Sequence, residues 1–190
     1  QNHANTSEED DVANIEHDEE RGMENSLVQV DSDTYALAYE GKDRDGFIST
    51  FTISSSGVIT PIQIQNHANT SEEDDVANIE HDEDRASHNS LVQVVSDTYA
   101  LAYTSHGEDG FISTFTISSS GAITPIQIQN HANTSEEDDV ANLEHEENRA
   151  IHNSLVQVDS DTYALAYTGI DADGFISTFT ISSDGTSIVE

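Results

Sequence analysis

The amino-acid sequence repeats itself with a period of 64 residues, and this repeat limits the possible folds more than any other feature. The segment that begins at Gln1 recurs at Gln65 and again at Gln129. We therefore divide the chain into repeats 1–64, 65–128 and 129–190, the third of which is two residues shorter. A period of this kind predicts one supersecondary unit per repeat, with apolar faces buried between neighbouring units.

Substitutions between the repeats mark the predicted connections. Repeats one and two differ at only 11 of 64 positions, and most of these lie in 20–24 and 40–44. Because surface connections tolerate substitution better than packed elements do, both segments are expected to be exposed.

Each repeat carries a β pattern. In repeat one, strands are predicted at 26–30, 34–39, 47–53 and 58–64, with turn-forming residues between them. In the second strand, large side chains alternate with alanines, which predicts a sheet that is packed on both faces. The last strand contains Pro61, which restricts it to an edge or a bulge.

The acidic residues are concentrated in one segment of each repeat. Residues 7–24, 71–88 and 135–152 hold 24 of the 38 Asp and Glu side chains. One interpretation is a short helix capped by Ser7, because acidic side chains stabilise a helix N-terminus. The other is an acidic loop followed by a strand of the next unit, at 12–17. The sequence leaves both open.

Short antiparallel strands joined by tight turns at a fixed period resemble the blades of a β-propeller. The resemblance is strongest in 26–39 and 45–54. It implies an all-β fold of tandem antiparallel sheets, arranged as propeller-like blades with an acidic segment between blades. A string of small β domains is the alternative.

Three blades are too few to close a propeller, which needs about four to eight. The chain also begins and ends at different points of the repeat, so that one strand is split between Gln1 and Ile188–Glu190. An N-terminal segment of one molecule is then expected to complete the last sheet of another, giving a ring or a filament. The alternative is that the 190 residues are an excerpt of a longer repeat protein.

Acidic hairpin loops are the candidate metal sites. Carboxylate and carbonyl oxygens are the ligands that Ca²⁺ prefers, and an Asp-x-Asp-Gly loop supplies both. The candidate ligands are Asp43, Asp45, Asp109, Asp171 and Asp173. The alternative is that Asp-Gly only provides the positive-φ turn of a hairpin. No other cofactor is predicted.

No arrangement of residues points to catalysis. The chain has no cysteine, and its serines, histidines and aspartates form no nucleophile-elbow motif. Eight of the nine histidines recur at three positions of the repeat, so that two could bind zinc only where adjacent repeats bring them together. We therefore predict a protein that is not an enzyme.

Charge and sequons indicate location and partners. Five basic residues against a net charge of −33 exclude binding to nucleic acid, and no apolar stretch is long enough for membrane insertion. Asn5, Asn69 and Asn133 begin glycosylation sequons, which together with the acidity indicates an extracellular or cell-surface glycoprotein. The predicted partner is a second copy of the chain. A lectin-like module, which would bind a glycan or cell-surface ligand through loops such as 40–46, is the alternative function.

Overall fold

A computed structural model describes residues 17–18, 21–63, 79–82, 85–127 and 143–190. The described chain is all-β and forms three antiparallel sheets. The first sheet contains β1 Met23–Gln29, β2 Thr34–Glu40, β3 Gly46–Ile53, β4 Ile59–Gln63 and β5 Ile79–Asp82. The second contains β6 Ser87–Val95, β7 Thr98–Thr104, β8 Gly110–Ile117, β9 Ile123–Gln127 and β10 Leu143–Glu146. The third contains β11 Ile151–Gln157, β12 Thr162–Thr168, β13 Gly174–Ile181 and β14 Ile188–Val189.

The predicted strands of repeat one are confirmed as β1 to β4. The hairpin between β2 and β3 contains a 3₁₀ turn at Lys42–Arg44, which recurs at His106–Glu108 and Ile170–Ala172. Pro61 lies in the short edge strand β4, where it pairs with Phe51 beside a shift of register. This agrees with the restriction that its missing N–H places on it.

The sheets pack with unlike faces together. Ala36, Ala38 and Ile48 of the first sheet form one buried cluster with Leu101 and Tyr103 of the second. The same arrangement recurs one repeat later, where the small-residue face of the second sheet packs against the leucines and tyrosines of the third. The alternation of alanines with large residues in the central strand therefore serves two different interfaces, one on each face.

Hydrogen bonds repeat at constant sequence separations across these interfaces. The Leu91 N–H donates to the Ser26 Oγ at 2.9 Å, and 64 residues later the Leu155 N–H donates to the Ser90 Oγ at 2.9 Å. The Thr50 hydroxyl donates to the Gly121 carbonyl at 2.9 Å. Each interface is thus fixed in register by directional bonds as well as by apolar packing.

Candidate functional site at the junctions between repeats

Each junction is built around a strand that leaves its own repeat. β5 belongs to repeat two but pairs with Gly46–Ile48 of β3 in the first sheet. β10 of repeat three pairs in the same way with the start of β8 in the second sheet. The end of the acidic segment is therefore a strand in repeats two and three, as one of the two interpretations expected, but it joins the preceding sheet and not the next unit. The preceding acidic residues lie outside the described ranges.

We call β5 and β10 the transferred strands, because each pairs with the sheet of the preceding repeat. A histidine in each transferred strand packs between two repeats. His81 of β5 packs edge-on against Tyr103 of its own repeat, with ring centroids 4.8 Å apart. On its other side it lies against Gly46 of the preceding repeat. His145 repeats this arrangement with Tyr167, at 5.1 Å, and with Gly110.

Burial keeps these imidazoles neutral. Loss of hydration lowers the pKa of His81 to about 4, and the charge of Asp82 opposes that shift. Burial likewise lowers the pKa of His145 to about 4. Neither ring nitrogen of either histidine has a hydrogen-bond partner among the described residues. A proton on either ring would therefore be a buried charge without a hydrogen bond, and at His81 the nearby Asp82 would offset that cost only in part.

The glycine that begins the third strand of a sheet leaves space for this histidine. A Cβ atom on Gly46 would overlap the Ala86 Cβ and the His81 ring, and one on Gly110 would overlap Ala150 and His145. At the equivalent Gly174 in the third sheet, no described residue has an atom within 4 Å of such a Cβ. Within the described part of the chain, the third sheet thus carries the same glycine with no histidine packed on it.

The first repeat shows the opposite half of the junction. His17 packs edge-on against Tyr39 with ring centroids 4.6 Å apart, the same arrangement as His81 with Tyr103. Partial burial lowers the pKa of His17, against the charge of Asp18. His17 therefore makes the contact with tyrosine that His81 and His145 make. Gly174 is the equivalent of the glycines that contact His81 and His145.

The exposed face of the third sheet matches the buried small-residue face of the other two. Ile176 is 77% exposed, whereas its equivalents Ile48 and Ile112 are fully buried. Val158 is 64% exposed, whereas Val94 is 4% exposed. We call Val156, Val158, Ala164, Ala166 and Ile176 the acceptor face. On the first sheet Leu27 is 56% exposed, although Leu91 and Leu155 are buried at the two junctions.

The predicted calcium loops have the geometry of a hairpin. Gly41 N–H donates to the Asp45 carbonyl at 2.9 Å, and the Asp45 N–H donates to the Lys42 carbonyl at 3.0 Å. Asp43 and Arg44 have φ values of 55° and 84°. The positive φ values therefore fall before Asp-Gly, so the interpretation that Asp-Gly supplies them is wrong. Gly46 instead starts β3 and makes room for the next repeat.

Among the described residues, no three His, Asp or Glu side chains converge as ligands for one ion. Calcium binding by Asp43, Asp45, Asp109, Asp171 and Asp173 stays a prediction. The three sequon residues Asn5, Asn69 and Asn133 lie outside the described ranges.

The histidine and the glycine that define each junction were not among the residues predicted as site residues. The signal was present, since a histidine follows Ile-Glu or Leu-Glu at position 17 of every repeat and a glycine stands at position 46 of every repeat. Copies this similar share nearly every residue, however, so recurrence could not single these two out.

Comparisons with known proteins assign no family. No protein-family model and no curated protein matches the chain. Among solved structures, an α-L-arabinofuranosidase from Lactobacillus brevis is 12% identical with a TM-score of 0.45, over 87% of this chain and 55% of that one. An endo-1,4-β-xylanase from Bacteroides thetaiotaomicron is 16% identical with a TM-score of 0.45, over 89% of this chain and 58% of that one.

The chain therefore spans little more than half the length of either structure. At this similarity the match carries no argument about activity, and the absence of catalysis stays a prediction. No helix in the described part of the chain has the length and apolar character needed to cross a membrane.

Proposed function

We propose that the chain is a non-catalytic structural repeat protein that associates head to tail with copies of itself. The third sheet of one molecule would accept the first repeat of another, in the way each sheet accepts the following repeat within the chain. Such a contact is heterologous, so it produces a ring if the rotation closes and a filament if it does not.

The observation that carries this proposal is the pair of complementary half-junctions. His17 already packs on Tyr39, and no described residue occupies the place beside Gly174 that His81 and His145 occupy beside Gly46 and Gly110. In repeat one, His17 and Asp18 are the equivalents of His81 and Asp82 at the end of β5, and they would take part in the same contact with another molecule. Their partner would be the start of β13.

The acceptor face supports the same partner. Burying Ile176 and the two exposed valines under the leucines and tyrosines of a first sheet would reproduce the internal interfaces. Removing this apolar surface from water supplies the driving force. The exchanged strand adds main-chain hydrogen bonds and fixes the register.

This mechanism differs from the exchange expected from the sequence. That expectation placed the split strand at the chain ends, but β14 pairs with β13 of the same molecule through Ile188 and Val189. In repeats two and three, the strand that passes between repeats is instead the one at the end of the acidic segment.

The arrangement of successive sheets as propeller-like blades is part of the proposal. Face-to-face packing and cross-sheet bonds that recur at a 64-residue interval support it. An extracellular or cell-surface location is also proposed, on the strength of the acidic composition and the three sequons.

Light scattering over a range of protein concentrations tests the association. The native chain is expected to form dimers or larger species, and Ile176→Asp is expected to remain monomeric because it places a charge in the acceptor face. Val95→Asp is the matched control, since Val95 is also exposed and repeats one and three carry aspartate there. A native chain that stays monomeric, or an Ile176→Asp variant that assembles normally, would contradict the proposal.

Mixing two blocked variants tests the polarity of the contact. We call the exposed face of the first sheet, which contains Leu27, the donor end, and the acceptor face of the third sheet the acceptor end. Leu27→Asp should prevent binding through the donor end and leave the acceptor end intact. Ile176→Asp should have the opposite effect. Each is expected to be a monomer alone, and an equimolar mixture should form a heterodimer and nothing larger. Larger species in the mixture, or no complex, would exclude a head-to-tail contact between these two faces.

A further inference from the structure

A cleft between repeats contains two histidines and a glutamate at equivalent positions of the three repeats. Glu24, His88 and His152 line it, one from each repeat, together with the asparagine that follows each of them. The sequence places them 64 residues apart, and the fold brings them to one column along β1, β6 and β11.

The backbone at each of these positions is unusual. Glu24, His88 and His152 have φ values of 54°, 54° and 59°, in the left-handed region that residues with a side chain rarely adopt. Each lies where the register with the neighbouring strand shifts, as at Ser87/Ser90. A bulge of this kind redirects a side chain, and here it turns all three into the same cleft.

Asparagine side chains hold this backbone in place. The Asn89 amide donates to the Glu24 carbonyl of the preceding repeat at 3.2 Å. The Asn153 amide donates to the Thr104 hydroxyl of the preceding repeat at 3.1 Å. The cleft is therefore supported by bonds between repeats, and its side chains start from fixed backbone positions.

The Glu24 carboxylate lies within ion-pair distance of His88. The Nδ1 atom of His88 lies 3.4 Å from the Oε2 atom of Glu24. The His88 and His152 rings are 4.6 Å apart at an angle of 64°. Histidines that bind metals commonly donate their other ring N–H to a carboxylate, which fixes the tautomer and strengthens the ligand. A proton on His88 Nδ1 leaves the Nε2 lone pair available.

We propose that His88 and His152 together bind one divalent transition-metal ion of the Zn²⁺ class, with Glu24 orienting His88. Imidazole nitrogen is a preferred ligand of these ions. Two protein ligands leave the remaining coordination positions to water. The site is independent of the proposed self-association, because both ligands belong to one molecule.

Calorimetric titration with Zn²⁺ tests the site, with Ca²⁺ in excess to occupy the carboxylates. The native chain is expected to bind one more equivalent of Zn²⁺ than His152→Gln, whose side chain is exposed and so can be changed without loss of folding. Glu24→Gln should keep the equivalent but bind it about 10-fold or more weakly. His106→Gln is the matched control, because His106 lies exposed in the 3₁₀ turn of repeat two.

Histidine resonances in the NMR spectrum give a second readout. Zn²⁺ is expected to shift the signals of His88 and His152 and leave that of His106 in place. Equal Zn²⁺ binding by the native chain and His152→Gln, or equal loss in His106→Gln, would overturn the proposal.

Discussion

The buried histidines make the fold sensitive to acid. Above pH 6.5, His81 and His145 are neutral in both the folded and the unfolded chain, so they impose no pH dependence. Between pH 6.5 and about 4 the unfolded chain binds protons that the folded chain does not, because folding lowers both pKa values to about 4. Stability is therefore expected to fall as the pH drops through this range, by up to about 3 kcal/mol for each histidine.

Urea unfolding at a series of pH values measures this effect. His81→Leu should give a shallower fall between pH 6.5 and 4 than the native chain, whatever its stability at neutral pH. His106→Gln, which changes an exposed histidine, should leave the fall unaltered. If His81→Leu and the native chain have the same slope, burial of His81 is not the source of the acid sensitivity.

Two equivalent glycines should respond differently to the same substitution. Gly110→Ala is expected to lower the free energy of unfolding by about 1–3 kcal/mol, because its Cβ would overlap Ala150 and His145. Gly174→Ala should leave the stability of the monomer unchanged or slightly raised, since its Cβ contacts no described residue and alanine loses less backbone entropy than glycine.

Thermal unfolding of the two variants, compared with the native chain in monomeric conditions, provides the measurement. Light scattering then adds a second readout. Gly174→Ala should block association, because the added Cβ would occupy the space that His17 of another molecule would need. Equal destabilisation by the two substitutions would mean that the glycines serve local backbone geometry, and the open site at Gly174 would lose its significance.

The roles of individual residues were the hardest feature to predict from the sequence. Asp45-Gly46 has the pattern of a hairpin turn, and the hairpin is present, yet the glycine is required by a side chain of the next repeat. A contact between residues 46 and 81 leaves no local pattern, and nearly identical copies provide no contrast from which to recognise it.

At the scale of the strand, the interfaces depend on a row of hydroxyl acceptors. Ser90→Ala is expected to cost about 1 kcal/mol, because the Leu155 N–H would lose its acceptor at a junction between sheets. Ser154 occupies the same place in the third repeat and is exposed. Ser154→Ala should therefore stay within about 0.5 kcal/mol of the native chain in monomeric conditions. Comparable losses from both, measured by urea unfolding, would show that the serines act within their own strands.

The strands themselves were predictable because local signals determine them. Alternation of tyrosine and leucine with alanine identified β2 and its two packed faces, and Pro61 identified an edge strand. The transferred strands were ambiguous because Ile-Glu-His-Asp is short, acidic and without a distinctive period. Its pairing partner in the preceding repeat lies more than 30 residues away, so tertiary context decides the outcome.

At the scale of the whole molecule, repetition predicted self-association but not its location. Each sheet packs its small-residue face against the large-residue face of the next sheet, as Ala36 packs with Leu101. A row of such sheets therefore has a different face at each end, which we call the donor end and the acceptor end. The sequence contains both faces in every repeat, so only the packing order shows which one is exposed on the third sheet.

Electrostatic repulsion opposes the proposed assembly, because each copy carries a formal charge of −33. Screening over about 8 Å in physiological salt and about 3 Å at high salt should weaken this repulsion. The association constant is therefore expected to rise with NaCl concentration, as measured by analytical ultracentrifugation. Weaker association at high salt would mean that ionic attraction, rather than apolar packing, holds the copies together.

Calcium should strengthen assembly beyond screening only if the acidic hairpin loops bind it. At matched ionic strength, the native chain is then expected to associate more tightly in CaCl₂ than in NaCl, and the triple variant Asp45→Asn, Asp109→Asn and Asp173→Asn should lose that difference. The matched control removes the same three charges at another repeated turn, through Asp33→Asn, Asp97→Asn and Asp161→Asn. If the native chain responds equally to both salts, screening alone accounts for the effect and the loops are hairpins without a metal. If both triple variants lose the calcium response, the ion acts through the overall charge, since the two sets share nothing but the charge they remove.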